Sequence, residues 1–317
     1  MNRPALCGLL TGAVCAALTC AAFAAPFAYV PNEKSGSISI IDTATRRIEA
    51  SIAVGGKPRG IAVAADGKTL YVSDQAAHGL AAVDLDKREV SARIPLGESP
   101  EGVSLSPDGR WVVAAVELSN SVVFIDTASR RVDFSIRTSG KNPEHAVFSP
   151  DGRWLYVSAE EADSIDVIDV AARREIRSIK VGNRPRGIGF LPDGSHAYVA
   201  CELDSTVYVI DVANQSVVAS IKAGQYANGI AIAPDGKHAY VSNGRDASVS
   251  VIDTSSHRIL ATTPVGKRPW GLAVTPDGRS LYVANGRSNS VSVIETGNAR
   301  VVETIQVGEA PWGVAIR

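Results

Sequence analysis

An Asp-Gly pair returns at Asp66, Asp108, Asp151, Asp193, Asp235 and Asp277, at spacings of 42, 43, 42, 42 and 42 residues. A fixed period of this length restricts a chain to stacked or ringed copies of one supersecondary unit. Each copy reads like RPRGIGFLPDGSHAYVACELDSTVYVIDVANQSVVASIKAG. Its apolar stretches are short, rich in Val and Ile, and bounded by Gly, Pro, Asp and Asn. This predicts four strands per copy and an all-β chain. In the PDG turn Pro fixes φ early and Gly supplies φ > 0 late, so the turn closes the hairpin between the first two strands, a and b. Asp42, Asp84, Asp126, Asp169, Asp211, Asp253 and Glu295 end strand c, where a carboxylate accepts hydrogen bonds from turn amides. These acids read as structural, and Asp-x-Asp-Gly calcium loops are absent from the sequence.

Counting selects the architecture. Without its first 24 residues the chain keeps 293, almost seven periods of 42. It then starts inside a copy, at a strand-b segment, FAYVPN, and ends on a lone strand a, PWGVAIR. The two fragments complete one blade. A linear solenoid needs no such complementarity, whereas a ring gains by it because the mixed blade removes free edges. The expectation is a seven-bladed β-propeller over residues 25–317, with four-stranded antiparallel blades and N- and C-terminal strands sharing one blade.

The first residues differ in character. Arg3 precedes an apolar run from Ala5 to Phe23, which ends in the small-x-small pattern Ala22-Phe23-Ala24. Residues 1–24 are read as a signal peptide cleaved near Ala24, which places the protein in the periplasm or outside the cell, with no membrane span after cleavage. Cys7, Cys15 and Cys20 leave with it. Cys201 alone remains, so no internal disulfide can form. The net charge of −1 argues against a protein that coats nucleic acid or anionic lipid.

The units LYVSD, LYVSA, AYVSN and LYVAN, each followed by a VSVID-like strand, resemble the YVTN family of propeller repeats across all seven copies. In size, leader and layout the chain is similar to periplasmic propellers associated with PQQ-dependent catabolism. The wider group includes lactonase-like enzymes, the heme-binding propeller of nitrite reductases and a periplasmic DNA-binding protein. The resemblance therefore implies a fold and not an activity.

Function is sought where the copies diverge at one place in space. Just before strand a, ringing the channel mouth, the copies carry Arg59, Glu101, Glu144, Arg186, Asn228, Trp270 and Trp312. This is a charged arc followed by a polar and aromatic one. The b–c loops on the same face carry Glu33, Gln75, Glu117, Glu160, Glu202, Gly244 and Gly286, whose glycines would leave room above Trp270 and Trp312. His145 stands where six copies have Gly. It either fills space beside a carboxylate or serves a ligand.

The leading expectation is a binding or accessory protein, with a PQQ-linked oxidation as its setting. It would hold a small molecule or a periplasmic partner protein at this mouth, as a monomer. The ligand set is Arg59, Glu101, Glu144, His145, Arg186, Asn228, Trp270 and Trp312. The alternative is a metal-dependent lactonase or lyase that holds a divalent metal with Glu101, Glu117, Glu144, His145 and Glu160, since carboxylates with one imidazole suit a hard cation. A third reading, nucleic-acid binding, draws on Lys57, Arg59, Arg184, Arg186 and Arg268, against which the interleaved glutamates count. No zinc helix, nucleophile elbow, phosphate loop or Cys-x-x-Cys-His motif is present.

Overall fold

A computed structural model describes residues 26–317, so the leader expected at 1–24 lies outside the described residues. The chain forms seven four-stranded antiparallel sheets. Blade 1 holds Phe27–Asn32, Ser37–Asp42 and Arg47–Ala53, and blades 2 to 7 follow in chain order over 58–95, 100–137, 143–180, 185–222, 227–264 and 269–306. The C-terminal strand Ala315–Ile316 returns to blade 1 as its innermost member, with Ala28 opposite Ile316 and Tyr29 opposite Ala315. The Phe27 amide donates to the Arg317 carbonyl at 2.7 Å, and the Arg317 amide donates back at 3.0 Å. Both termini therefore close one blade, as the complementary fragments require. Among the described residues no helix is long and apolar enough to cross a membrane. The only helical segments there are two single turns, Glu117–Ser119 and Glu160–Ala162, in the b–c loops of blades 3 and 4.

The turn chemistry is as the residue types demand. In blade 3 the Gly109 amide donates to the Ser106 carbonyl at 2.8 Å, with Gly109 at φ +71°. The strand-c acids cap their own turns: Asp42 Oδ1 accepts from the amides of Ala44 and Thr45, both at 2.8 Å. Glu295, one methylene longer, reaches the Asn298 side chain instead.

The core lies between the sheets, and each blade packs on the next. Phe124 of blade 3 meets Phe148 of blade 4 edge to face, and Ala28, Val30 and Ile41 of blade 1 bury against Tyr282 and Val293 of blade 7. Each such Val or Ile contributes about 1.5–3 kcal/mol on burial. The tyrosines of the YV units tie neighbouring blades. Tyr198 donates its hydroxyl to the Thr254 carbonyl at 3.2 Å, and Tyr282 donates across the closure to the Thr43 carbonyl at 3.4 Å. The Asn that ends three of these units is fully buried, and its amide donates to two serines across the b–c loop. Cys201 occupies that register in blade 5, buried in the blade 4–5 core, and burial pushes its thiol up to about 12. It is a small hydrophobe, as a lone thiol usually is.

The inner strand bulges where the copies diverge. Pro58 pairs with Asp74 and Ile61 with Val72, which leaves Arg59 and Gly60 opposite Ser73 alone. The other five complete inner strands show the same shift. A bulge re-aims a side chain, and here it turns the ring position toward the mouth. The following Gly is needed for close approach: a Cβ at Gly102 would come within 2.7 Å of the Glu144 carbonyl oxygen.

Candidate functional site

Six of the seven ring residues fall second in their inner strands, within the bulge, and Trp312 precedes the closing strand. The deepest residues of the mouth are glutamates of the ring and of the b–c loops. Glu101, Glu144, Glu160 and Glu202 are all 5% exposed or less. Carboxylates at that depth need partners. Arg186 supplies most of them, at 2.6 Å from Glu144, 2.5 Å from Glu160 and 3.2 Å from Glu202. Arg184 and Arg268 add further contacts, the latter at 2.7 Å from Glu202. On the other side Arg59 bridges Glu101 at 2.7 Å and Glu33 at 3.1 Å, and the Gln75 side chain donates to the same Glu101 oxygen.

The titration of the ring follows from this pairing. Burial, then the neighbouring Glu144, pushes Glu101 up to about 8 despite Arg59. Burial, then Glu144, raises Glu160 to about 7. Burial also works to raise Glu144, but Arg186, His145 and Arg59 outweigh it and hold this carboxyl low. Burial lowers the pKa of His145, against the opposing pull of Glu144.

His145 crosses the channel. Its ring stacks on Trp312 of the closing strand, with centroids 5.5 Å apart and planes 16° from parallel. Both side chains line the mouth cavity of about 130 Å³ above and the channel cavity of about 150 Å³ below. The stack is therefore the floor of the mouth. Glu144, Arg186, Asn228 and Trp270 form its walls.

The expected ligand set largely converges: seven of its eight residues line this cavity, and Glu101 joins them through Arg59. The two indoles do not form one shared face. Trp312 pairs with His145, while Trp270 lies over Gly286, where a Cβ would sit 2.5 Å from the ring. Gly244 likewise makes room for Arg268, whose guanidinium carbon is 5.9 Å from the Trp270 ring centre.

The expected metal set divides. Glu101, Glu117 and Glu144 present oxygens within 4.8 Å of one another. His145 is turned to Trp312, and Glu160 to Arg184 and Arg186. Two members of the close group already bind arginine, and Glu117 accepts from Ser99 at 2.6 Å and Asn142 at 2.9 Å. Of the residues cited for nucleic acid, Arg59, Arg184, Arg186 and Arg268 are all paired with glutamates, which leaves Lys57 alone. Trp111 and Trp154 begin strand b in blades 3 and 4, where they pack against the core between blades under Arg110 and Arg153.

Besides Glu160 Oε1, whose contact is the ion pair with Arg186, three polar atoms at the mouth are buried without a hydrogen-bond partner: Arg59 Nε, Glu101 Oε2 and His145 Nδ1. Buried polar groups are nearly always satisfied, so three together single out the mouth as the candidate site. Sequence reading missed Arg245, Lys267 and Arg287, which lie one step outward in the same loops. Comparing the copies at that register would have found them.

Comparison with known proteins agrees with this architecture. The family model of a seven-bladed β-propeller lactonase matches residues 169–312, and that of a YNCE-like β-propeller matches residues 7–106. A search of curated proteins finds no match. Among solved structures, the hydrazine synthase of Kuenenia stuttgartiensis is 26% identical, with TM-score 0.78 over 84% of this chain and 92% of that one. A functionally unknown protein from Desulfotomaculum acetoxidans is 18% identical, with TM-score 0.81 over 92% and 98%. A 6-phosphogluconolactonase candidate from Bacteroides uniformis is 19% identical, with TM-score 0.78 over 92% and 99%, a likeness of fold alone. The chain is a seven-bladed β-propeller, similar over residues 7–106 to the YNCE-like and over residues 169–312 to the lactonase-like propeller families.

Proposed function

We propose that the mouth is a small-molecule binding site in a secreted, YVTN-type propeller that acts as a binding or accessory protein. The observation that carries this reading is a cavity floored by a flat aromatic stack and lined by Arg59 and His145, whose Nε and Nδ1 are unpartnered, with Glu101 Oε2 unpartnered on the carboxylate that Arg59 holds. Ligand sites have this composition: an apolar surface with a few converging polar groups. A planar polar molecule would lie on Trp312 and meet Arg59, Glu144 or Arg186 at its edge. The PQQ-linked setting supplies such a ligand class, a planar quinone bearing carboxylates. Titrating PQQ against the intrinsic tryptophan fluorescence tests it. Saturable quenching that Trp312→Ala abolishes, with circular dichroism unchanged, is the expected result. No quenching at millimolar PQQ removes the quinone setting.

A second reading, lactone hydrolysis, is favoured by the lactonase match over 169–312 and by Glu101 and Glu160, held at about 8 and about 7. Carboxyls near neutrality suit general acid–base work. Arg59 and Arg186 beside them suit a carbonyl oxygen that gains charge. A cation in this reading would be held by Glu101, Glu117 and Glu144, once the arginine pairs of Glu101 and Glu144 open. Base uptake with a six-membered sugar lactone, with and without calcium, tests it. Turnover lost in Glu101→Gln and Glu160→Gln supports the enzyme, and no turnover in the native protein removes it.

A further inference from the structure

The repeat supplies an internal control for every loop, and one pair of clefts uses it fully. Between blades 4 and 5, a cleft of about 400 Å³ is lined by Glu160, Glu161, Asp163 and Arg184, among others. Between blades 6 and 7, the same register positions line a cleft of about 500 Å³ and read Gly244, Arg245, Ala247 and Arg268. There Asn183 becomes Lys267 and Leu203 becomes Arg287. The backbone is shared, yet the side chains have exchanged an acidic cleft for one with four cations and no carboxylate.

Among the described residues Arg245, Lys267 and Arg287 have no carboxylate within ion-pair distance, while Arg268 is held at 2.7 Å by Glu202. The nearby Asp246 accepts instead from the Gln225 amide at 2.6 Å. Tyr226 lies in the cleft, with the guanidinium carbons of Arg245 and Arg268 at 5.7 and 5.4 Å from its ring centre. Cations over an aromatic face are attracted to it and so held in place. Tyr226 does this from φ +60°, at a register that is left-handed in five other copies, as Ser99, Asn142, Arg184, Arg268 and Ala310, and that is Lys57 in the remaining one. The φ belongs to the repeat, and what sets this copy apart is the ring: no other copy carries an aromatic residue at this register. The cleft also falls within the usual size of small-molecule sites, roughly 300–1,000 Å³.

We propose that the cleft between blades 6 and 7 binds a small polyanion, a molecule bearing phosphate or several carboxylates. Arg245, Lys267 and Arg287 grip the charge, and Tyr226 packs against the body. Guanidinium forks match the paired oxygens of either group. Arg268 lines both this cleft and the mouth cavity, so a longer ligand could run from one to the other. The cleft's own groups carry this inference, whatever the mouth holds.

Calorimetry of the purified protein tests it, with inorganic pyrophosphate and citrate as separate probes at low and high salt. The expected result is saturable binding of at least one probe, weakened as salt screens it. The double variant Arg245→Glu, Arg287→Glu should weaken binding at least tenfold, about 1.4 kcal/mol. Lys267→Glu should repeat the loss independently, and Arg131→Glu, on an outer strand of blade 3, should leave it unchanged. The proposal is overturned if neither probe binds at low salt, if the cleft variants bind as the native protein does, or if Arg131→Glu loses binding equally. Capture of a hexaglutamate peptide while both small probes fail would assign the cleft to an acidic protein segment and also overturn it.

Discussion

The acidic mouth sector of blades 3 to 5 and the basic cleft of blades 6 and 7 are built on one repeated backbone, yet they handle charge in opposite ways. In the first, Glu144, Glu160 and Glu202 are buried and gathered on Arg186. In the second, Arg245, Lys267 and Arg287 are exposed, and no carboxylate lines their cleft. Water solvates the exposed cations, so the fold tolerates them unpaired. Burial removes that option, and the glutamates must find partners inside the protein. Charge in the mouth is thus coupled to stability, while charge on the rim is free to vary.

The largest effect that could break this contrast is the loss of Arg186. Arg186→Met should leave the buried Glu144 and Glu160 without their closest partner and Glu202 with Arg268 and Arg184 alone, and cost about 3–5 kcal/mol. The loss should be greater at pH 8 than at pH 5, where the carboxyls can protonate. Chemical denaturation at the two pH values measures it, and a loss below about 1 kcal/mol at both would mean that the sector relaxes to reach water.

A smaller effect concerns Glu101 and Glu160, whose folded values of about 8 and about 7 exceed the ordinary 4.5. The folded protein holds protons there that the unfolded chain has released. Their contribution to stability is therefore full below pH 4.5 and is lost as the pH rises through 7 and 8. Between pH 5 and 8 the fall should reach at least one pKa unit's worth, about 1.4 kcal/mol. Glu101→Gln should flatten that slope in melting curves taken across the range. An unchanged slope would place the titration elsewhere.

The smallest effect lies on the rim. Replacing Glu161, Asn183 and Leu203 by the Arg, Lys and Arg of the basic cleft should change stability by no more than about 0.5 kcal/mol per site. For a domain of this size the melting temperature should move by only about 2–4 °C per kcal/mol. A larger drop would show that the acidic rim is part of the fold.

The seven blades, their PDG turns and the shared closing blade were legible because each depends on local chemistry repeated at a fixed period. Gly109 needs its positive φ whatever surrounds it, and the FAYVPN and PWGVAIR fragments are complementary on inspection. The ring positions were legible as well, since register alone collects Arg59, Glu101, Glu144 and Arg186 at one mouth. Their pairing was not. With four arginines and six glutamates at one opening, register allows many sets of partners, and it placed Glu160 and His145 together in a metal set that the packing separates.

The sequence by itself determined the repeat, the blade count and the face on which the copies diverge, because hydrogen-bonded turns and strand alternation act over a few residues. Tertiary structure alone decided that His145 meets Trp312, that Arg186 gathers three glutamates, and that the blade 6–7 cleft keeps its cations unpaired. His145 and Trp312 lie in blades 4 and 1, and their stacking depends on the channel width and on the angle each inner-strand bulge imposes. Those quantities exist only once the ring has closed, since the closure sets the distance across which side chains of different blades can reach.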